Sequence, residues 1–138
     1  MPTRSKARKR ALDVLFASEL RSENPVVALE RAVADGEGPT NAYTSTLVHG
    51  VFEHRAEIDE VLASYSEGWT LDRMPAVDRA VLRLGTFELL WRDDVPDAVV
   101  VYQAVELARS LSTDESPSYV NGLLGRIVEL KPHLLDRQ

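Results

Sequence analysis

The chain contains no cysteine, no long apolar run and no glycine-rich loop. Without cysteine it has no disulfide, no thiolate metal site and no cysteine nucleophile. The absence is typical of proteins from a reducing compartment, and we expect a cytoplasmic protein. No apolar stretch approaches the about 18 residues of a membrane-spanning helix, so we expect no membrane partner. Gly36 and Gly38 stand alone before a proline, which excludes a glycine loop that cradles phosphates.

A catalytic or metal-binding constellation is also missing from the sequence. The chain has 3 histidines, His49, His54 and His133, and their spacing does not suit a metal ion. His49 and His54 are five positions apart and do not share one face of a helix. We therefore predict no catalytic residue, no metal and no cofactor.

Acidic residues are absent from the first ten positions, which we call the basic arm. The arm holds five of the 16 Lys and Arg residues, and all 22 acids follow it, so the net charge of −6 divides into +5 and −11. An acidic body with a short basic arm indicates a polyanionic partner that is bound through the arm. A solvated terminus without a function is the alternative.

A helical arm would carry an electrostatic cost. Arg4 and Arg8 form one like-charge pair at i,i+4 spacing and Lys6 and Arg10 form another, and each pair costs about 0.2–0.5 kcal/mol. The arm also puts cations at the positive end of the helix dipole. Because a phosphate backbone would reverse both effects, we expect the free arm to be frayed and to become ordered on binding.

The apolar residues recur at three- and four-residue steps almost throughout, and no stretch alternates with a period of two. This pattern predicts an all-α fold of six or seven helices. At 138 residues the chain is most simply a single domain over 1–138. We expect two three-helix bundles packed side by side, the first over about 4–65 and the second over about 76–131, joined by a linker at 66–75.

Capping residues indicate where the helices begin and end. Asn24 and Pro25 form a start signal, Thr40 can cap the next helix, Ser116 can cap the last helix ahead of Pro117, and Pro132 should end it. The pattern from 43 to 65 fits one long helix or two shorter ones.

Asn121-Gly122 interrupts the last helical pattern, where glycine costs about 1 kcal/mol relative to alanine. Close helix approach, which only glycine permits, is the interpretation that we favour. The alternatives are an asparagine side chain that holds a neighbouring loop and an Asn-Gly hairpin turn.

Four segments, read together, carry a family resemblance. The first is Arg8–Leu12, and the second is WTLDRMPAVDRAVLRLGTFELL over Trp69–Leu90. The third is Val95-Pro96 followed by QAVELA over Gln103–Ala108, and the fourth is DESPSYVNGLLG over Asp114–Gly125. In this order and spacing, over nearly its whole length, the chain resembles the NusB family of bacterial transcription antitermination factors. The resemblance implies an all-helical fold of two three-helix bundles and no enzymatic activity.

The resemblance also implies partners. Family members bind single-stranded boxA-type RNA in nascent ribosomal transcripts, together with the ribosomal protein NusE, and help the RNA polymerase antitermination complex to read through terminators. Some members self-associate, so a homodimer that buries the RNA surface is a further expectation.

Site residues follow from the resemblance position by position. The RNA-binding residues that it implies are Arg4, Lys6, Arg8, Lys9, Arg10, Trp69 and Glu115. Asp78 and Tyr119 match the interface with the ribosomal protein, Tyr119 as an exposed aromatic anchor. The Trp69 indole could stack on an unpaired base. The alternative is that it caps the gap between the two bundles.

Two other functions compete with an RNA-binding adaptor. A NusB-like module also begins ribosomal RNA cytosine methyltransferases, which continue into a large cofactor-binding domain, whereas these 138 residues contain no nucleotide loop. The other candidate is a protein–protein adaptor whose basic arm is incidental.

Overall fold

The computed structural model describes residues 3–38, 41–66 and 68–136, and within these ranges it contains helices and no strand. The α-helices are α1 (Thr3–Leu20), α2 (Pro25–Ala34), α3 (Ala42–Glu53), α4 (Arg55–Tyr65), α5 (Ala76–Trp91), α6 (Asp97–Leu111) and α7 (Ser116–Asp136). A 3-10 turn over Leu71–Arg73 precedes α5. The all-α prediction is confirmed.

The chain forms two compact units, Met1–His54 and Arg55–Gln138. The sequence pattern put residues up to about 65 in the first bundle, whereas α4 packs against α5 and α7 of the second unit. Ile58 and Leu62 of α4 explain this grouping, since the side chains of these two residues are fully buried. The segment 43–65 is two helices, because the backbone of His54 (φ −104°, ψ 15°) leaves the helical conformation.

In the first unit, α1, α2 and α3 pack on one another in all three pairs. The inward face of α1 is lined by Ala7, Ala11, Leu12 and Leu15. The Asn24 side chain accepts a hydrogen bond from the Val26 amide at 2.8 Å, as the start signal predicted.

The start of α3 differs from the expectation that Thr40 caps it. Thr40 lies outside the described residues, and the cap is Asn41, whose side chain accepts from the Tyr43 amide at 2.8 Å. Asparagine satisfies an otherwise unpaired amide of the first turn in the way that threonine was expected to do.

In the second unit, α5 is buried over Ala80 to Leu90 and packs against α4, α6 and α7. Gly85 is the glycine that permits close helix approach, because a Cβ atom there would lie 2.8 Å from Leu124 Cδ1 on α7. The favoured interpretation of Gly122 is wrong, since a Cβ atom at that position would meet nothing within 4 Å. Gly122 is exposed and carries no helix packing.

Both ends of α7 differ from the sequence expectation. The helix begins at Ser116 itself, whose hydroxyl accepts from the Thr113 amide at 3.2 Å instead of capping the turn that follows. Pro132 does not end the helix, which continues to Asp136. Proline removes one backbone donor but keeps a helical φ, and the burial of Leu134 favours the continued turn.

Candidate nucleic-acid interface

The basic arm is the first half of α1, which begins at Thr3. The expected fraying is therefore not what the structure shows. Arg4, Lys6, Lys9 and Arg10 are exposed on this helix, whereas Arg8 is 4% exposed. Helical periodicity explains the division, because position 8 shares the inward face with the buried Ala7 and Ala11.

Two consecutive residues of α3 hold the arm. The Thr44 hydroxyl donates to the Ala7 carbonyl at 3.1 Å in a buried hydrogen bond. The ring of Tyr43 lies 4.2 Å from the Arg4 guanidinium carbon and 5.8 Å from that of Arg8, measured from the ring centroid. Attraction between these cations and the ring face offsets the like-charge cost of the Arg4/Arg8 pair.

The five arm cations are thus not equivalent, which corrects the expectation that all of them face an RNA partner alike. Arg8 lies against Tyr43 inside the first unit. Arg10 is exposed and donates to the Glu37 carbonyl at 3.3 Å. The positive charges that α1 presents to solvent are those of Arg4, Lys6, Lys9 and Arg10.

In the second unit, Trp69 and Tyr119 pack edge to face, with ring centroids 4.8 Å apart and an interplanar angle of 62°. Both side chains are half-buried, so Tyr119 is not the fully exposed anchor that the sequence predicted. The contact with Trp69 is the physical reason. Gly68 permits it by turning the chain at φ +94°, and the Ser66 hydroxyl donates to the Trp69 carbonyl at 3.0 Å.

The Tyr119 hydroxyl is buried and has no hydrogen-bond partner among residues 3–38, 41–66 and 68–136. Burial raises the pKa of Tyr119. The Ser66 side chain opposes this shift in pKa, and the charge of Asp78 adds to it. The phenol is therefore a neutral group at neutral pH.

Asp78 is 0% exposed, which corrects its assignment to the surface that a partner protein contacts. Its carboxylate accepts hydrogen bonds from the Ser112 hydroxyl and, at 2.8 Å, from the Ser116 hydroxyl. A buried carboxylate needs such donors, because its desolvation is otherwise uncompensated. Asp78 therefore ties α5 to the connection between α6 and α7.

Glu115 lies on that connection and is exposed, directly before the first residue of α7. The hydrogen bonds of Ser112 and Ser116 to Asp78 hold the connection at both ends. Sequence reasoning missed this network. The available signal was the place of Asp78 beside Val77, Ala80 and Val81 on an apolar face, where a carboxylate requires partners.

A groove of about 490 Å³ runs along the exposed face of α7. Its lining includes Tyr65, Ser118, Asn121, Gly122 and Arg126. The Arg126 guanidinium carbon lies 5.8 Å from the centroid of the Tyr65 ring. Sequence reasoning did not single out Tyr65 or Arg126, since their proximity depends on the packing of α4 against α7.

Within the described ranges, no group of three or more His, Asp or Glu side chains could hold a metal ion. No helix of the described chain is both long enough and apolar enough to cross a bilayer. The features whose chemistry suits a nucleic acid are the arm, the Trp69–Tyr119 pair and the groove on α7, which Tyr119 also lines.

The geometry defines an all-helical protein with an exposed basic helix in one unit and a polar, aromatic groove in the other. Comparison with known proteins gives the family. The model of the NusB family matches residues 5–129, and the chain belongs to this family.

Individual relatives agree with this assignment over nearly their full length. The transcription antitermination protein NusB of Nocardioides sp. (strain ATCC BAA-499 / JS614) is 69% identical over 134 residues, which cover 97% of this chain and 99% of the relative. NusB of Arthrobacter sp. (strain FB24) is 57% identical over 135 residues, with 98% and 99% covered.

Solved structures are similar as well. NusB of T. maritima superposes with a TM-score of 0.84 at 33% identity and covers 100% of this chain and 99% of its own. A crystal structure of antitermination factors NusB and NusE in complex with dsRNA contains a chain with a TM-score of 0.80 at 29% identity, covering 91% and 96%. The family resemblance drawn from the sequence is confirmed.

Proposed function

We propose that this protein is an RNA-binding transcription antitermination factor. It binds single-stranded boxA-type RNA in nascent ribosomal transcripts together with NusE, and it supports processive transcription by RNA polymerase. Family membership supports the proposal, as does the relative whose solved complex contains NusE and RNA. The observation that carries it is the set of four exposed cations in the first half of α1, on a chain that is otherwise acidic.

The electrostatic argument concerns where a polyanion can bind. Residues after the tenth carry a net charge of −11, so their average surface repels a phosphate backbone. Arg4, Lys6, Lys9 and Arg10 are exposed on a helix that is already formed. A formed helix fixes the spacing of these cations, so less ordering entropy is lost on binding than with a disordered tail.

The groove on α7 suits the unpaired bases of a single strand. Aromatic faces stack on bases of any sequence, and the Tyr65 ring lines the groove. Asn121 and Arg126 add an amide and a guanidinium, which hydrogen-bond base edges and phosphates. Trp69 is half-buried, so part of its indole is also accessible to a base.

The ribosomal-protein partner requires a revised set of contacts. Asp78 is buried and acts through the connection that it holds, whereas Glu115 on that connection is exposed. We infer that Asp78 positions the connection between α6 and α7. Glu115 and the exposed part of Tyr119 then contact NusE. The protein works as an adaptor, not as a catalyst, in keeping with relatives that are named as antitermination proteins.

A binding titration tests the proposal. Labelled single-stranded boxA-type RNA, a scrambled strand of equal length and a duplex are titrated with the protein, with and without NusE. We expect the boxA-type strand to bind more tightly than the scrambled strand, and NusE to increase that difference. Sedimentation of the free protein in the same buffer reports whether it forms a homodimer.

Three results would contradict the proposal in different ways. Equal affinity for the boxA-type and scrambled strands would show that the arm binds polyanions without regard to sequence. Tighter binding of the duplex would overturn single-strand recognition. Binding of NusE without any binding of RNA would favour a protein–protein adaptor whose basic arm is incidental.

A further inference from the structure

One aromatic ring serves two arginines of the basic arm. Arg4 and Arg8 are one helical turn apart, and their guanidinium carbons lie 4.2 Å and 5.8 Å from the centroid of the Tyr43 ring. Both distances are within the about 6 Å over which a cation is attracted to an aromatic face. Tyr43 is 7% exposed, so the ring belongs to the core of the first unit.

The arm needs such an anchor from outside its own sequence. Its first turn contains no acidic residue that would complement the helix dipole. The like-charge pairs Arg4/Arg8 and Lys6/Arg10 oppose the helix further. The buried hydrogen bond from Thr44 to the Ala7 carbonyl holds the second turn, and Tyr43 contacts the turn before it.

Where a guanidinium meets a ring by its face, its N–H donors lie at the edge of the planar group, in a fork that matches phosphate oxygens. Stacking on Tyr43 limits the orientations of the exposed Arg4 side chain without consuming its positive charge. The same ring holds Arg8, which is almost entirely buried.

We propose that Tyr43 is a positioning residue for RNA: its ring docks the basic arm as a helix and orients Arg4 for a phosphate. The inference rests on the proposed function, since it assigns the purpose of the docking to RNA binding. Tyr43 itself does not contact RNA. Loss of the ring therefore lowers the fraction of molecules whose arm is ready to bind, and the number of phosphates contacted in the complex stays the same.

Docking of the arm and contact with phosphates can therefore be measured separately. A smaller binding-competent fraction weakens the apparent affinity by the same factor at every salt concentration. The slope of log affinity against log salt, which counts neutralised phosphates, does not change. Two cation–ring contacts correspond to a roughly five- to thirtyfold change in the equilibrium constant between the docked and the undocked arm, and this factor is the upper bound of the change in the binding-competent fraction.

The experiment compares the full chain with Tyr43→Leu, Tyr43→Phe and Val51→Ala. Leucine keeps an apolar side chain and removes the ring face, whereas phenylalanine keeps the face. Val51 is a buried residue of α3 outside the Tyr43 cation–ring contacts, so Val51→Ala controls for general loss of stability. Amide exchange over residues 3–10 is measured without RNA, and boxA-type RNA is titrated at several salt concentrations.

We expect Tyr43→Leu to exchange roughly five- to thirtyfold faster over 3–10 and to bind RNA more weakly by a factor no larger than that, with an unchanged slope. Tyr43→Phe should behave like the unaltered chain, and Val51→Ala should lose stability without these changes. Unchanged exchange in Tyr43→Leu, unchanged affinity despite faster exchange, a reduced slope, or equal effects of Val51→Ala would each overturn the inference.

Failure of the proposed function is distinguishable from failure of this inference. Amide exchange reports the docking of the arm without RNA. If the unaltered chain does not bind RNA at all, the proposed function is wrong, and Tyr43 then has no role in RNA binding. If the unaltered chain binds RNA and only the Tyr43 variants fail to respond, the proposed function stands and the positioning role falls.

Discussion

In the basic arm, Lys6 and Lys9 carry their charges on the exposed side of α1, whereas in the second unit Asp78 carries its charge inside the helices. The lysines remain hydrated and need no partner within the fold. The carboxylate of Asp78 is satisfied by two serine hydroxyls from the connection after α6. The exposed positive charges of Lys6 and Lys9 are thus available to a polyanion. The buried charge of Asp78 instead holds the connection after α6 in place.

Among the substitutions considered, replacement of the buried Asp78 should have the largest effect on stability. Asp78→Ala leaves the hydroxyls of Ser112 and Ser116 without their acceptor, and each hydrogen bond to a charged group contributes about 1.5–3 kcal/mol. We expect the free energy of unfolding, measured in urea, to fall by about 3 kcal/mol or more. Asp93→Ala, at an exposed position before α6, is the control and should change it by less than about 0.5 kcal/mol.

An equal loss in both aspartate variants would mean that the buried network contributes nothing beyond ordinary surface charge. A further test concerns partner binding. If Asp78 acts only through the connection, Asp78→Ala weakens NusE binding by disordering the segment that carries Glu115. Faster amide exchange at 112–116 should accompany that weakening.

The two glycines of the second unit sharpen the contrast between buried and exposed positions. Gly85→Ala puts a methyl group 2.8 Å from Leu124 Cδ1 and should cost about 1–3 kcal/mol of stability through overpacking. Gly122→Ala meets no atom within 4 Å and should stabilise α7 by about 1 kcal/mol. Thermal unfolding of both variants measures the difference, and a loss at Gly122 would contradict the open groove.

A smaller effect is expected from Tyr119 at alkaline pH. Burial raises the pKa of its phenol in the folded protein above its ordinary value near 10. The folded state therefore holds this proton more tightly than the unfolded state does. The associated stability is complete below about pH 10 and is lost as the pH rises through the folded pKa.

Tyr119→Phe tests this dependence. Urea unfolding between about pH 8 and pH 11 should show a shallower alkaline loss of stability in the variant, because the titrating group is gone. Tyr102, which is exposed, gives the matched control Tyr102→Phe. Identical alkaline profiles for the Tyr119 variant and the unaltered chain would show that the burial of this hydroxyl has no consequence for folding.

Part of this structure was predictable from local sequence signals. Apolar periodicity predicted helices, and Asn24 with Pro25 predicted the start of α2, because capping depends on residues that are adjacent in the chain. The grouping of α4 with the second unit was not predictable, since it depends on which helices bury Ile58 and Leu62.

The candidate site shows the same limit. Its basic character was visible in the first ten residues, yet the burial of Arg8 depends on Tyr43, which lies far along the chain. A helical glycine likewise has the same local signature whether it packs, as Gly85 does, or faces open space, as Gly122 does. Contacts between distant segments decide these cases, and local patterns do not contain them.

In the proposed function, the exposed cations of α1 hold RNA phosphates and the buried Arg8 does not. The most direct measurement is the salt dependence of affinity for single-stranded boxA-type RNA, compared between Lys6→Ala/Lys9→Ala and Arg8→Ala. Each phosphate neutralised on a single strand contributes a slope of about −0.7, so four exposed arm cations give the unaltered chain a slope of roughly −3.

We expect the double lysine variant to lose about 1.4 units of that slope and to keep its stability. Arg8→Ala should keep the slope and lose stability, because it removes a buried contact with Tyr43. A slope that falls in Arg8→Ala and stays unchanged in the double lysine variant would contradict the account.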